Sequence, residues 1–440
     1  MKVNFAKKMV GGFDYEFIRG ISTQQAGTAE FGECMETMER IHDGNFESWI
    51  QEWSATADRV AAYAQDADHA GDQIAARGAY LKASNYYRMA VFYAHSTDPR
   101  HTTLWQQSRD CFHHMIRLMD QPIESFDIAF EGAKLPAYFI TGGEGKRPTL
   151  IVLGGFDSTM EEIYGWIGPV AAKSGWHCLI FEGPGQWAAL KTNPGLIFRP
   201  DYEKPVSAVV DYLFSRPDVD QDKVALIGYS AGGYFAPRAA AGEPRIKACI
   251  ANTLVVDCGE AARAGLKGLH NAQVIDLLFS VLMRLSPAAR WGFQHAQWTL
   301  GIRKPHEWPD VYVPFTLKGL ESHFRNPMLF LFSQDDIVDA AASTSAIVVG
   351  LLDFILSLPC ERSVHLFPRL EGASSHCQMG GLSYAQAVIF HWLDQTLCGK
   401  ACNVPSDPTA PQAFVDIFKK YGGETGAKKA QEVLQQVRLI

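Results

Sequence analysis

With 440 residues, 47% of them hydrophobic and 20% charged, the chain has material for a large core and for more than one domain. Its formal charge is −8, and its 40 basic residues are scattered with no Lys/Arg-rich run, which argues against nucleic acid or an anionic membrane as partner. Nine dispersed cysteines form no CxxC pair and no Cys/His metal spacing, and no run of 18 uncharged apolar residues occurs. The N-terminus also lacks the apolar core of a signal peptide, so a soluble, cytoplasmic protein with reduced thiols is expected.

The elements predicted in chain order fall into two textures. From about Gly44 to Leu118 apolar residues recur at helical spacing, clearest from Ala75 to Ala94, and Asp98-Pro99 breaks one helix before the next. This predicts a helical N-terminal domain over residues 1–121. After Pro122, short apolar runs alternate with helical stretches. The first two flank Glu131-Gly132, a predicted hairpin, and the later ones are continuous aliphatic runs suited to parallel strands buried on both faces. A mostly parallel, eight-stranded α/β-hydrolase sheet over 122–402 is the expected fold class.

Two stretches interrupt this scheme. More than 70 residues separate the runs near Ala251 and Met328, too many for a plain crossover, so a helical cap is expected at about 254–325. Residues 403–440 open with the linker-like PSDPTAP and form a tail with no assigned role.

The sharpest chemical signal is Gly228-Tyr229-Ser230-Ala231-Gly232, a G-x-S-x-G between the strand-like VALI and the helix-like YFAPRAAA. That context is the nucleophile elbow, in which a tight strand-to-helix turn lifts a serine above the sheet. A serine hydroxyl needs a base and an orienting carboxylate, and in this fold they follow in the order serine, acid, histidine. Asp335, after the strand-like Met328–Phe332, is the favoured acid, with Asp336 the alternative. Asp339 reads as a helix cap. His376, in the small-residue loop GASSHC after the last strand, is the expected base. Oxyanion donors are expected from the N–H of Ala231 and from Phe156 in the loop LGGFD. Asp157 either orients a polar substrate group, acts as an extra acid/base, or caps the next helix. Glu182-Gly183-Pro184-Gly185-Gln186 reads as a fold-determining turn, with Gln186 a weak functional candidate.

Together GGFDSTMEE, FEGPGQ, GYSAGG and EGASSHCQ, behind a helical region carrying YLKASNYYRMAVFY, resemble the FrsA-like α/β-hydrolases. That set includes 2,6-dihydropseudooxynicotine hydrolase and fungal polyketide-shortening hydrolases of pigment pathways. The resemblance implies a substrate held beneath the helical domain and cleavage of a carbon–carbon bond next to a ketone. It also implies that Asp157, Tyr86 and Tyr87 touch substrate, and Tyr229 joins them as a candidate. Trp187 departs from the family pattern, which has glycine there. The expected function is therefore serine-dependent hydrolysis of a C–C bond or ester in a bulky aromatic or polyketide-type small molecule. A non-hydrolytic cyclase, condensing enzyme or lyase of a secondary-metabolite pathway using the same triad, and a non-catalytic binding protein, are the alternatives. No cofactor or metal is expected, and a homodimer is compatible with the sequence.

Overall fold

The computed structural model describes residues 12–266, 268–336, 344–401 and 409–440; the expected cap residue Asp339 and the start of the tail lie outside them. The described residues form two compact units. One is helical and comprises the described part of Met1–Ile123 with Tyr164–Trp166 and Ala272–Pro305. The other comprises the described parts of Glu124–Ile163, Ile167–Asn271 and His306–Ile440.

The helical unit begins with α1 (Phe13–Ile21), α2 (Phe31–Arg40), α3 (Phe46–His69), α4 (Gln73–Val91) and α5 (Pro99–Arg117). The three long helices start where the local chemistry satisfies their first N–H groups. Asn45, Asp72 and Asp98 each accept from N–H groups of the turn that follows, and Pro99 occupies the first turn of α5. Their inner faces bury Trp49, Trp53, Tyr86 and Phe112, and the Trp49 indole donates to the Met89 carbonyl at 2.6 Å.

The second unit is built on nine strands: β1 (Ile123–Phe130), β2 (Ala133–Ile140), β3 (Arg147–Leu153), β4 (His177–Phe181), β5 (Val219–Tyr229), β6 (Ala248–Asn252), β7 (Met328–Ser333), β8 (Arg362–Phe367) and β9 (Arg438–Leu439). Their order is β1-β2-β4-β3-β5-β6-β7-β8-β9. Strands β3 to β9 run parallel, and β2 lies antiparallel to β4. The hairpin expected at Glu131-Gly132 is present; both residues have positive φ, 47° and 81°, the combination of a tight two-residue turn. Between the strands run α6 (Met160–Lys173), α7 (Trp187–Thr192), α8 (Glu203–Ser215), α9 (Gly232–Gly242), α10 (Cys258–Gly265), α11 (Ala272–Leu285), α12 (Pro287–Leu300), α13 (Trp308–Val311), α14 (Ser345–Ser357), α15 (Leu382–Cys398) and α16 (Ala410–Gln436).

Two expectations about organisation need correction. The interval at 254–325 does not form one cap, because α11 and α12 belong to the helical unit. The aromatic face of α12 explains this. Trp291 stacks on Phe92 at 4.6 Å and donates to its carbonyl at 2.8 Å, and Trp298 packs edge-on against His101.

The described part of the tail, left without a role on sequence grounds, joins the sheet unit. Helix α16 packs on α14, its Phe418 meets Phe332 of β7 edge-on at 5.6 Å, and β9 adds the ninth strand to an expected eight. At that edge the Ile440 N–H donates to the Val364 carbonyl at 3.1 Å, and the Ile440 carbonyl meets Nδ1 of His365. His365 is thus an anchoring residue, and burial pushes its pKa down to about 4. Among the described residues no helix is long and apolar enough to cross a membrane.

Candidate active site

Ser230 directly follows β5, as the first residue of the two-residue turn into α9, with φ +58°. A non-glycine residue in this region is strained by roughly 1–3 kcal/mol and is held there by its surroundings. The Ser230 N–H donates to the Asn252 carbonyl at 2.6 Å, and its carbonyl accepts from Gly233 N–H at 2.8 Å. Gly228 is required because a Cβ there would lie 2.0 Å from the Gly232 carbonyl oxygen.

The imidazole of His376 bridges the site. Its Nε2 lies 2.8 Å from Ser230 Oγ, and its Nδ1 lies 2.8 Å from Asp336 Oδ1. The other Asp336 oxygen accepts from the Thr253 hydroxyl at 2.5 Å. Asp335, the favoured acid on sequence grounds, is not the partner of His376. Its carboxylate accepts from Arg369 Nε at 2.7 Å and from the Ser374 hydroxyl at 2.5 Å, while its N–H donates to the Ser374 carbonyl. Asp335 therefore braces the loop that carries the histidine, and the next residue along faces the imidazole. Strand β7 runs one residue further than expected, to Ser333, and moves the junction accordingly.

Charge is arranged consistently with this geometry. Burial works against ionisation of Asp336, but the His376 imidazole and the Thr253 hydroxyl hold its pKa below the ordinary carboxylate value. Burial likewise disfavours the imidazolium of His376. The adjoining Cys377 sulfur and the Asp336 carboxylate outweigh it, and the histidine pKa lies well above 6.5.

The loop carrying His376 is held by a buried amide pair that sequence reasoning missed. Asn252 Nδ2 donates to Gln378 Oε1 at 2.6 Å, and Gln378 Nε2 donates back to Asn252 Oδ1 at 2.9 Å and to Ser333 Oγ at 2.8 Å. All three residues are fully buried, and Cys377 and Gln378 adopt positive φ. No motif marks this network, because its members stand 126 and 45 residues apart in sequence.

The double glycine after β3 serves the elbow. A Cβ on Gly155 would lie 2.7 Å from Ser230 Cβ and 3.1 Å from the Ala231 nitrogen. The loop thus passes against the nucleophile turn, bringing Phe156 beside Ser230 and Ala231 on one cavity wall. Gly155→Ala is expected to force these two segments apart and to cut kcat by at least about tenfold with little change in KM; steady-state kinetics on the folded variant check it.

Asp157 is half-buried, its carbonyl accepts from the Trp187 indole at 2.9 Å, and it does not line the cavity. The cap of α6 is Thr159, not Asp157. In the turn after β4 the Glu182 carboxylate accepts from Met160 N–H at 2.8 Å and from Ala188 N–H, so it ties together the first turns of α6 and α7.

The cavity above Ser230 has a volume of about 370 Å³ and is walled mainly by apolar side chains, among them Phe156, Phe198, Tyr234, Phe315, Phe332 and Phe418. None of the four expected substrate contacts, Asp157, Tyr86, Tyr87 and Tyr229, is part of it. Tyr229 is buried beneath the elbow. Tyr86 and Tyr87 point into the helical unit, 0% and 4% exposed, where their hydroxyls donate to Glu33 at 2.8 Å and to Asp58 at 2.6 Å. Apolar spacing predicts the helix and the resemblance implies the tyrosines' role, but neither tells which way the side chains face.

Phe418 comes from the tail helix and closes one side of the cavity. Phe418→Ala is expected to cost about 3–5 kcal/mol of stability and to shift acyl-chain preference toward longer substrates. Urea denaturation and a series of 4-nitrophenyl esters of rising chain length measure the two effects.

The chain matches the family model described as Esterase FrsA-like over residues 20–268. It is 32% identical over 412 residues to Hydrolase LUC6 of a Fusarium species, covering 87% of this chain and 96% of that protein. It is 36% identical over 416 residues to Hydrolase acrC of Aspergillus aculeatus, with 87% and 96% covered. It is also 32% identical over 411 residues to 20-hydroxy-prefusarin hydrolase FUS2 of Gibberella moniliformis, with 88% and 97% covered. Among solved structures, 2,6-dihydroxy-pseudo-oxynicotine hydrolase shares the fold with a TM-score of 0.68 at 20% identity, covering 88% of this chain and 99% of that one. With the family model spanning more than half of it and relatives matched over nearly their whole length, the chain belongs to the FrsA-like esterase family and is an α/β-hydrolase enzyme.

Proposed function

We propose that the protein cleaves a C–C bond next to a ketone, or an ester, in a bulky aromatic or polyketide-type substrate by covalent serine catalysis. The observation that carries this reading is the continuous chain Ser230–His376–Asp336, with both contacts at 2.8 Å, opening onto an apolar cavity of about 370 Å³. His376 Nε2 takes the Ser230 proton as Oγ attacks the carbonyl carbon, and Asp336 holds the imidazole in the tautomer that accepts at Nε2. The N–H groups of Phe156 and Ala231 receive the oxyanion. The C–C bond then breaks with its electron pair passing to the departing carbon as an enolate, which takes the proton from His376. Water, deprotonated by the same histidine, releases the acyl group and restores Ser230. The fungal relatives and the aromatic lining support a polyketide-type substrate, and a small molecule is the partner this cavity suits.

The test is incubation with aromatic β-diketones and matching esters, read by product mass. Two products whose masses sum to substrate plus water support hydrolysis, whereas one product of unchanged mass refutes it in favour of cyclisation.

The histidine must be neutral to act as base, and its pKa is raised. Activity should therefore be lost as pH falls, with the acid limb of kcat/KM lying above 6.5. Removing the neighbouring carboxylate in Asp336→Asn should move that limb to lower pH. A limb at or below 6.5 in the wild type would contradict the Asp336–His376 pairing.

A further inference from the structure

The turn after β4 and the loop after β3 are joined by two hydrogen bonds on either side of Phe156. Gln186 Nε2 donates to the Gly155 carbonyl at 3.3 Å, and the Trp187 indole donates to the Asp157 carbonyl at 2.9 Å. Gln186 is itself fixed. Its Oε1 accepts from Gly183 N–H at 2.7 Å, its own N–H donates to the Gly183 carbonyl at 3.1 Å, and it is 1% exposed. Because Oε1 is committed to an N–H donor, the amide can only present Nε2 to Gly155. The Gly155 N–H is also tied, to Ser158 Oγ at 3.0 Å.

A peptide unit is planar and trans, so the carbonyl of Gly155 and the N–H of Phe156 point in opposite directions. Holding one aims the other. A buried donor that fixes the Gly155 oxygen on the side of the β4 turn therefore sets the direction of the Phe156 N–H, and the Trp187 tether fixes the far end of the same short segment. We propose that Gln186, seconded by Trp187, is a positioning residue that pre-aims the Phe156 N–H at the oxyanion. The inference rests on the serine-hydrolase reading given above.

The experiment is labelling with a fluorophosphonate, in which Ser230 Oγ bonds to phosphorus, fluoride leaves, the proton passes to His376 and negative charge builds on the phosphoryl oxygen. The inactivation rate constant at saturation and the half-saturating concentration are measured separately for wild type, Ser230→Ala, Gln186→Met and Trp187→Phe. Thermal melting establishes which variants are folded.

The expected result is a fall of about tenfold or more in the rate constant for Gln186→Met, and a smaller fall for Trp187→Phe, with half-saturation within about twofold. Loose packing alone would lower the labelled fraction or weaken probe binding, without slowing the bound step in this selective way. Should Gln186→Met not fold, Trp187→Phe, which keeps a ring in place of the indole, carries the same test. A rate constant unchanged in either folded variant overturns the inference while leaving the hydrolase reading intact. A wild type that does not react refutes the hydrolase reading and the inference with it.

Discussion

Ser230→Ala is expected to abolish fluorophosphonate labelling and to lower kcat by about 10⁶-fold, while the protein stays folded and still binds apolar ketones. The magnitude follows from the way such groups act as a unit, since removing the nucleophile alone costs about as much as removing its partners too. Any residual rate comes from binding and from the oxyanion donors. Intact-protein mass spectrometry reads the adduct, and single-turnover kinetics read the rate. A Ser230→Ala protein that keeps its adduct would place the reactive group elsewhere and dissolve the assignment.

The second large effect separates two neighbouring carboxylates. Asp336→Asn is expected to lower kcat by about 10⁴-fold, because an amide at this position favours the wrong imidazole tautomer and cannot stabilise the imidazolium. Asp335→Asn acts on an ion pair with the exposed Arg369, a contact of a kind worth about 0–1 kcal/mol. That is less than about tenfold in rate. The ratio of the two variants' kcat values is the measurement. Equal losses, or the greater loss at Asp335, would contradict the pairing of His376 with Asp336.

What could be read from the sequence follows from how local each signal is. The elbow was legible because a buried strand, the G-x-S-x-G turn and a helix start lie within about 20 residues, and His376 because a loop after the last strand leaves few candidates. The acid was misplaced by one position because its identity depends on where β7 ends, and the apolar run does not mark that end. The cap was misjudged, and the tail left without a role, for a different reason. The sequence orders segments along the chain, whereas the aromatic face of α12 and the phenylalanines of α16 find partners far away in number. Tyr86 and Tyr87 show the limit of resemblance. The matching helix exists, but its tyrosines are committed to Glu33 and Asp58 inside the bundle. Gln186 was visible only as part of a turn, since its second partner, Gly155, lies 31 residues upstream.

Asn252 bears on how the site tolerates thermal motion. Its carbonyl receives the Ser230 N–H, and its side chain is paired twice with Gln378, two residues beyond the base. Nucleophile and base are thus suspended from one residue at the tip of β6. A displacement of that strand carries both in the same direction, so their separation changes less than the position of either. Such common-mode coupling lets the sheet breathe while the proton-transfer distance of 2.8 Å is conserved.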